Sequence, residues 1–157
     1  MPGPDECIIK ACEDSWDKEF IAGTPNSKNC SGFVKSVCKL LGVPMDETAQ
    51  ADGIVKAISN WDEIATGKEA AQKAASGKLV LAGLTSAEHT PKAHNGHVVV
   101  VVSGDLYRSK YPQCWGGSIG AAQSKGTKSV GECWNRTDRD KVKYYAYSSL
   151  QCNAKTS

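Results

Sequence analysis

The sequence predicts an α+β domain in which N-terminal helices pack on a mainly antiparallel β-sheet. Three observations carry that expectation. Apolar residues recur at helical spacing through the first half of the chain, most clearly over residues 30–41. From residue 78 the pattern changes to short apolar runs and to alternation, including five consecutive valines at 98–102. At 157 residues the chain has the length of one compact domain, read as residues 1–157, with core enough to fold alone.

Residues 4–16 predict the first helix, with Ile8, Ile9, Cys12 and Trp16 at helical spacing. Asp5 and Glu6 fall in its first turn, where the macrodipole favours acids. Residues 23–29 are turn chemistry leading into the next element. The helix predicted over 30–41 presents Phe33, Val34, Val37, Cys38, Leu40 and Leu41 as one broad apolar face, which puts it in the centre of the domain and Cys38 in the core. Gly42 suits its C-terminal end, and Pro44 stops any continuation. A shorter helix is expected over 51–59, through Ile54, Val55 and Ile58, and an alanine-rich one over 67–77. Strands follow at 78–84 and 97–103, separated by a polar loop, and the valine run marks the second as buried on both faces. Residues 104–112 carry a turn, and 113–122 a glycine-rich strand with a bulge or a close backbone approach. Residues 135–140 read as a turn, and alternation over 142–148 gives a final strand.

Composition excludes several classes of function. Hydrophobic content of 40% and charged content of 23% are those of a globular protein. A net charge of +2, with the basic residues scattered, gives no footprint for nucleic acid. The longest apolar run is too short to span a bilayer, so no membrane insertion is expected. The N-terminus has neither the basic segment, the apolar segment nor the cleavage site of a secretory signal, so work outside the cytoplasm would need another route of export. Seven cysteines occur, at 7, 12, 30, 38, 114, 133 and 152, with no C-x-x-C pair, which argues against structural zinc and thioredoxin-type chemistry. The odd number leaves at least one thiol free in a monomer. Cys7 and Cys152 lie near the two ends, and domain termini are often close. A disulfide between them and a pair of reduced thiols both remain open.

Two stretches point to chemistry: Asn-Cys-Ser-Gly-Phe-Val at 29–34 and Gly-His followed by five valines at 96–102. A thiol attacks a carbonyl only as thiolate, and a helix N-terminus stabilises that anion through unpaired N–H groups and its dipole. Cys30 is placed at such a terminus, Gly32 allows a close approach, and the N–H groups of Cys30 and Ser31 are candidate oxyanion donors. Of the three histidines, His89 and His94 lie in a polar loop, whereas His97 opens a rigid strand and is the candidate base. Each feature alone is ordinary. A cysteine opening a helix is usually a small buried residue, and a histidine before valines an edge residue; the two together point to catalysis. The H-x4-H-x2-H spacing matches no helical ligand pair and finds no carboxylate beyond Glu88, so neither metal nor cofactor is expected.

These motifs resemble the papain-like NlpC-type cell-wall peptidases, and more closely the type VI secretion amidase effectors of family one. The resemblance runs through Cys-Ile-Ile-Lys-Ala-Cys and Ser-Trp-Asp-Lys (7–18), Ala-Gly-Thr-Pro-Asn (22–26), Leu-Gly-Val-Pro-Met (41–45), Glu-Ala-Ala-Gln-Lys-Ala-Ala (69–75), Leu-Tyr-Arg-Ser-Lys-Tyr-Pro (106–112) and Val-Gly-Glu-Cys-Trp-Asn-Arg-Thr-Asp-Arg-Asp (130–140). It implies a papain-like single domain with Cys30 as nucleophile and His97 as base. The implied protein is an antibacterial toxin passed by the secretion tube protein, without a signal peptide, into a rival's periplasm. There it would hydrolyse the γ-D-glutamyl–meso-diaminopimelate bond of peptidoglycan stem peptides, and a cognate periplasmic immunity protein would occlude its cleft. The alternatives are an N-acetylmuramoyl-L-alanine amidase, or a silent peptidoglycan- or immunity-protein-binding module on the same fold. Two departures from the family pattern stand out. The 85–96 loop is longer, and glycine stands where a third group would orient the histidine. The main-chain carbonyl of Gly116, or Ser118, would take that part, with Asn29, Tyr111 and Trp115 lining the substrate groove.

Overall fold

In the computed structural model, residues 4–90, 96–118, 123–150 and 152 are described. Residues 91–95, with His94, and 119–122, the far end of the strand expected over 113–122, lie outside the described residues.

The helix α1 spans Glu6–Trp16 and α2 spans Cys30–Leu41. Gly42 closes α2 in the left-handed conformation (φ 72°), its N–H reaching back to Cys38 and Lys39 carbonyls. Next come α3 (Ala51–Ala57, continued by a 3-10 turn Ile58–Asn60), β1 (Asp62–Ile64) and α4 (Gly67–Ala75). The strands β2 (Leu79–Leu84), β3 (His97–Val101), β4 (Gln113–Gly116) and β5 (Ser124–Ser129) precede the one-turn helix α5 (Val130–Cys133) and β6 (Lys143–Tyr147). All six strands join one antiparallel sheet in the order β1-β6-β2-β3-β4-β5.

The α+β class and the antiparallel sheet match the expectation, but the helices are not confined to the N-terminal part of the chain. Val98 and Val100 belong to a core with α1, α2 and α3, while Val99 and Val101 belong to a second core with α4 and α5. Every valine from Val98 to Val101 is fully buried, each contributing on the order of 1.5–3 kcal/mol. The sheet is therefore covered on both faces.

A valine run buries equally well on either face, so it does not set its own register. Its neighbours do. Val98 lies opposite Gly83 and Val99 lines up with Gly116, and a Cβ on either glycine would meet its valine or Val55 too closely. At the mouth of β3, Gly96 packs so tightly on the Asp52 carboxylate and the Leu84 carbonyl that no side chain fits. Asp52 also accepts from the Ser86 N–H (2.8 Å) and hydroxyl. These contacts fix where His97 begins its strand. At the chain ends, Cys7 and Cys152 are joined by a disulfide, and the Cys152 N–H donates to the Gly77 carbonyl.

Candidate active site

The loop before α2 is held from below. Asn26 is fully buried; its Nδ2 donates to the Ser15 carbonyl (2.9 Å) and its Oδ1 accepts from the Phe20 N–H (3.1 Å). The Ser118 N–H donates to the Ser27 carbonyl (3.0 Å), and Gly117 lies so close to the Asn26 carbonyl that only glycine fits. The α1 helix and the end of β4 thus clamp the turn that delivers Cys30.

Asn29 then caps α2, its Oδ1 accepting from the Gly32 N–H (3.0 Å) and the Ser31 hydroxyl (3.1 Å). The cap explains Gly32: a Cβ there would meet Asn29 Nδ2 at 2.6 Å. Cys30 is the first residue of the helix, partly exposed, with N–H groups of Ser31 and Val98 directed at its sulfur. Beneath it, Phe33 stacks parallel to Trp115 (6.4 Å between centroids), and Trp16 meets both edge-on.

His97 shares its sheet face with Val99 and Val101, and its ring lies between two thiols. Cys30 approaches from α2 and Cys133 from the end of α5, while Trp134 packs on the ring at 4.9 Å between centroids. Burial works against a charged imidazole, yet the Cys133 and Cys30 thiols outweigh it and hold its pKa at about 9. Burial also opposes a Cys30 thiolate, but the His97 hydrogen bond and charge, with the two backbone N–H groups, bring that thiol below its ordinary value. The Nε2 of His97 is buried and closes no hydrogen bond. Each group thus favours the charged form of the other, and a thiolate beside an imidazolium is what attacks a carbonyl and then protonates a leaving amine.

A half-open cleft of about 320 Å³ gives access to this pair, with Asn29, Cys30, Ser31, Gln50, His97 and Ser118 among its walls. The structure thus brings together Asn29, Cys30, Ser31, His97 and Ser118. It does not bring Tyr111 or Trp115 to the cleft. Trp115 is buried under α2, and Tyr111 lines a separate cavity of about 350 Å³ with its hydroxyl donating to Asp140 (2.6 Å). Gly116 sits two rungs along the sheet from His97, against Val99, and neither it nor Ser118 bonds the ring at Nε2. Sequence reasoning missed Cys133, Trp134 and Asp52. Nothing in spacing links residue 133 to residue 97; the only signal was that Cys133 lies within a family motif. Among the described residues no group of His, Cys, Asp and Glu is arranged to hold a metal ion, and no helix is long and apolar enough to cross a membrane.

No family model matches the chain. The peptidoglycan amidase Tse1 of Pseudomonas aeruginosa is 54% identical to it over 158 aligned positions, covering 98% of this chain and 97% of that protein.

Proposed function

The chain belongs to the type VI secretion amidase effectors, the family of Tse1, and from that premise we propose that it is an antibacterial cysteine endopeptidase of papain-like type. Its substrate is the peptidoglycan stem peptide, cut at the γ-D-glutamyl–meso-diaminopimelate bond, and the whole chain acts as one catalytic domain. It reaches the periplasm of a rival cell through the secretion tube, and an immunity protein in the producer closes the cleft. One observation carries the reading: the Cys30 thiol at the N-terminus of α2 and the ring of His97 share one open cleft.

The Cys30 thiolate attacks the γ-carbonyl of the glutamyl residue, and the carbonyl oxygen gathers negative charge beside the N–H groups of the first helical turn, Cys30 and Ser31. The His97 imidazolium passes its proton to the departing amine of diaminopimelate as the C–N bond breaks. That leaves a glutamyl thioester on Cys30 and a neutral ring. His97 then takes a proton from water, whose oxygen forms the new acyl bond as the Cys30 thiolate leaves.

Digestion of meso-diaminopimelate peptidoglycan by the wild type and by Cys30→Ala, with products identified by mass, tests this. The expected result is a new diaminopimelate amine with the wild type alone. A new L-alanine amine would instead assign a muramoyl-alanine amidase. Cutting by neither protein under reducing and oxidising conditions would leave a binding module.

A further inference from the structure

An imidazole that shuttles protons in acyl transfer needs a group behind it to fix its tilt and tautomer. The sheet offers none here. The strand next to β3 carries Gly116 opposite Val99, and a Cβ there would meet Val99 Cγ1 at 2.6 Å, so no side chain can reach the ring from that position without moving β3. What stands behind the ring instead comes from α5. This single turn is held by Glu132, whose Oε1 accepts from the Ser129 N–H (3.0 Å). Its last residue, Cys133, and the following Trp134 are both buried against the His97 side of the sheet. Trp134 covers the ring face at 4.9 Å between centroids, and the neighbouring Cys133 thiol raises the His97 pKa. Behind Cys133 lies a second thiol, Cys114 of β4, with its sulfur 3.6 Å from that of Cys133.

We propose that Cys133 is the positioning residue of this site: its sulfur is the acceptor for the ring of His97, whose buried Nε2 closes no other hydrogen bond, and it holds the ring toward Cys30, while Cys114, 3.6 Å away, donates its thiol proton to Cys133. The inference rests on the assignment of Cys30 and His97 above. The electrostatics agree with it. The hydrogen bond from Cys114 favours a Cys133 thiolate against the penalty of burial, His97 adds to that, and Lys128 is a further cation facing it. Cys114 is pushed well above the ordinary thiol range by Cys133 and by burial, with Glu132 adding to the effect, so it keeps its proton and remains the donor. A chain from Cys114 through Cys133 and His97 to Cys30 results, with sulfur where a carboxylate or amide usually stands.

The test is the imidazole titration of His97, followed by NMR in the wild type, Cys133→Ser and Cys133→Ala, together with kcat, KM and the pH profile of Cys30 alkylation. Serine preserves the shape of the side chain, so it separates the role of the thiolate from a failure to fold. In both variants the His97 midpoint should drop by about 1–3 units. In both, kcat should fall roughly a hundredfold with KM within a factor of two, and the alkylation profile should shift to higher pH. A His97 midpoint and an alkylation profile unchanged in Cys133→Ser would overturn the proposal, even if stability drops. Should Cys30→Ala still cut peptidoglycan, the nucleophile assignment fails by itself. The NMR titration would then still report whether Cys133 holds the ring.

Discussion

Two thiols on one helix behave as opposites. Cys30 opens α2, and Cys38 lies two turns further along its buried face. Burial alone pushes the Cys38 thiol up to about 12, and Cys12 on the facing helix is likewise raised, chiefly by burial. Cys30 is also largely enclosed, yet its thiol lies below the ordinary value. The residue type and the helix are the same; what differs is what the sulfur faces. Cys38 meets apolar side chains, whereas Cys30 meets an imidazole and two N–H groups at the positive end of the helix. Position in the helix puts the Cys30 sulfur beside a backbone N–H, and the partner brought by β3 adds the hydrogen bond and charge that lower its pKa.

The largest expected contrast is in labelling. With iodoacetamide at pH 7, Cys30 of the native protein should be modified at least about a hundredfold faster than Cys38, which becomes accessible only on unfolding. Equal rates, read by peptide mapping, would break the comparison. His97→Ala should make Cys30 resemble Cys38: kcat falls about 10²–10⁴-fold, and alkylation at pH 7 slows but recovers in alkali. An unchanged alkylation profile would mean that the helix terminus alone ionises the thiol.

Stability against pH separates the two thiols in a second way. His97 has a folded pKa of about 9 against an ordinary 6.5, so the fold holds its proton more tightly than the unfolded chain. The resulting stability is complete below pH 6.5 and is lost as the pH rises to about 9. Cys38, at about 12 against 9.0, also keeps its proton in the fold, so its contribution is lost only between pH 9 and 12. Denaturant midpoints across this range should show the lower loss vanish in His97→Ala and the upper one shrink in Cys38→Ala. Both variants tracing the wild-type curve would remove the assignment.

The same contrast marks what could be read from the sequence. The α2 helix was legible to the residue, because its apolar face, Gly42 and Pro44 are local signals, and so was the placement of Cys38 in the core. β3 was legible as a strand buried on both faces, though it ends at Val101 rather than Ser103, and β2 starts one residue later than expected. Three elements were not. β1 is three residues long, and β5 reads Ser-Lys-Gly-Thr-Lys-Ser, with no apolar residue to mark it. It pairs through its backbone with β4 across a bulge after Cys114. The α5 helix is a single turn, below the length at which periodicity is visible. Cys133 rides on that element, so its approach to His97 is a product of tertiary packing alone. Trp115 misled for the opposite reason: an aromatic beside glycines suggests a groove, but β4 turns it inward onto Phe33 and Trp16.

The smallest effect isolates the cap. Asn29 and Thr66 do the same mechanical work: Asn29 Oδ1 accepts from the Gly32 N–H at 3.0 Å and Thr66 Oγ1 from the Glu69 N–H at 3.1 Å. Alanine at either position should cost about 1 kcal/mol, a fall of about 2–4 °C in Tm. Only Asn29 also sets the first turn around Cys30. Asn29→Ala should therefore raise the pH midpoint of Cys30 alkylation, while Thr66→Ala leaves it in place. If both variants lose the same stability and neither moves the midpoint, then the cap holds the helix without tuning the thiol. His97 and the Val98 N–H would then account for the lowered pKa on their own.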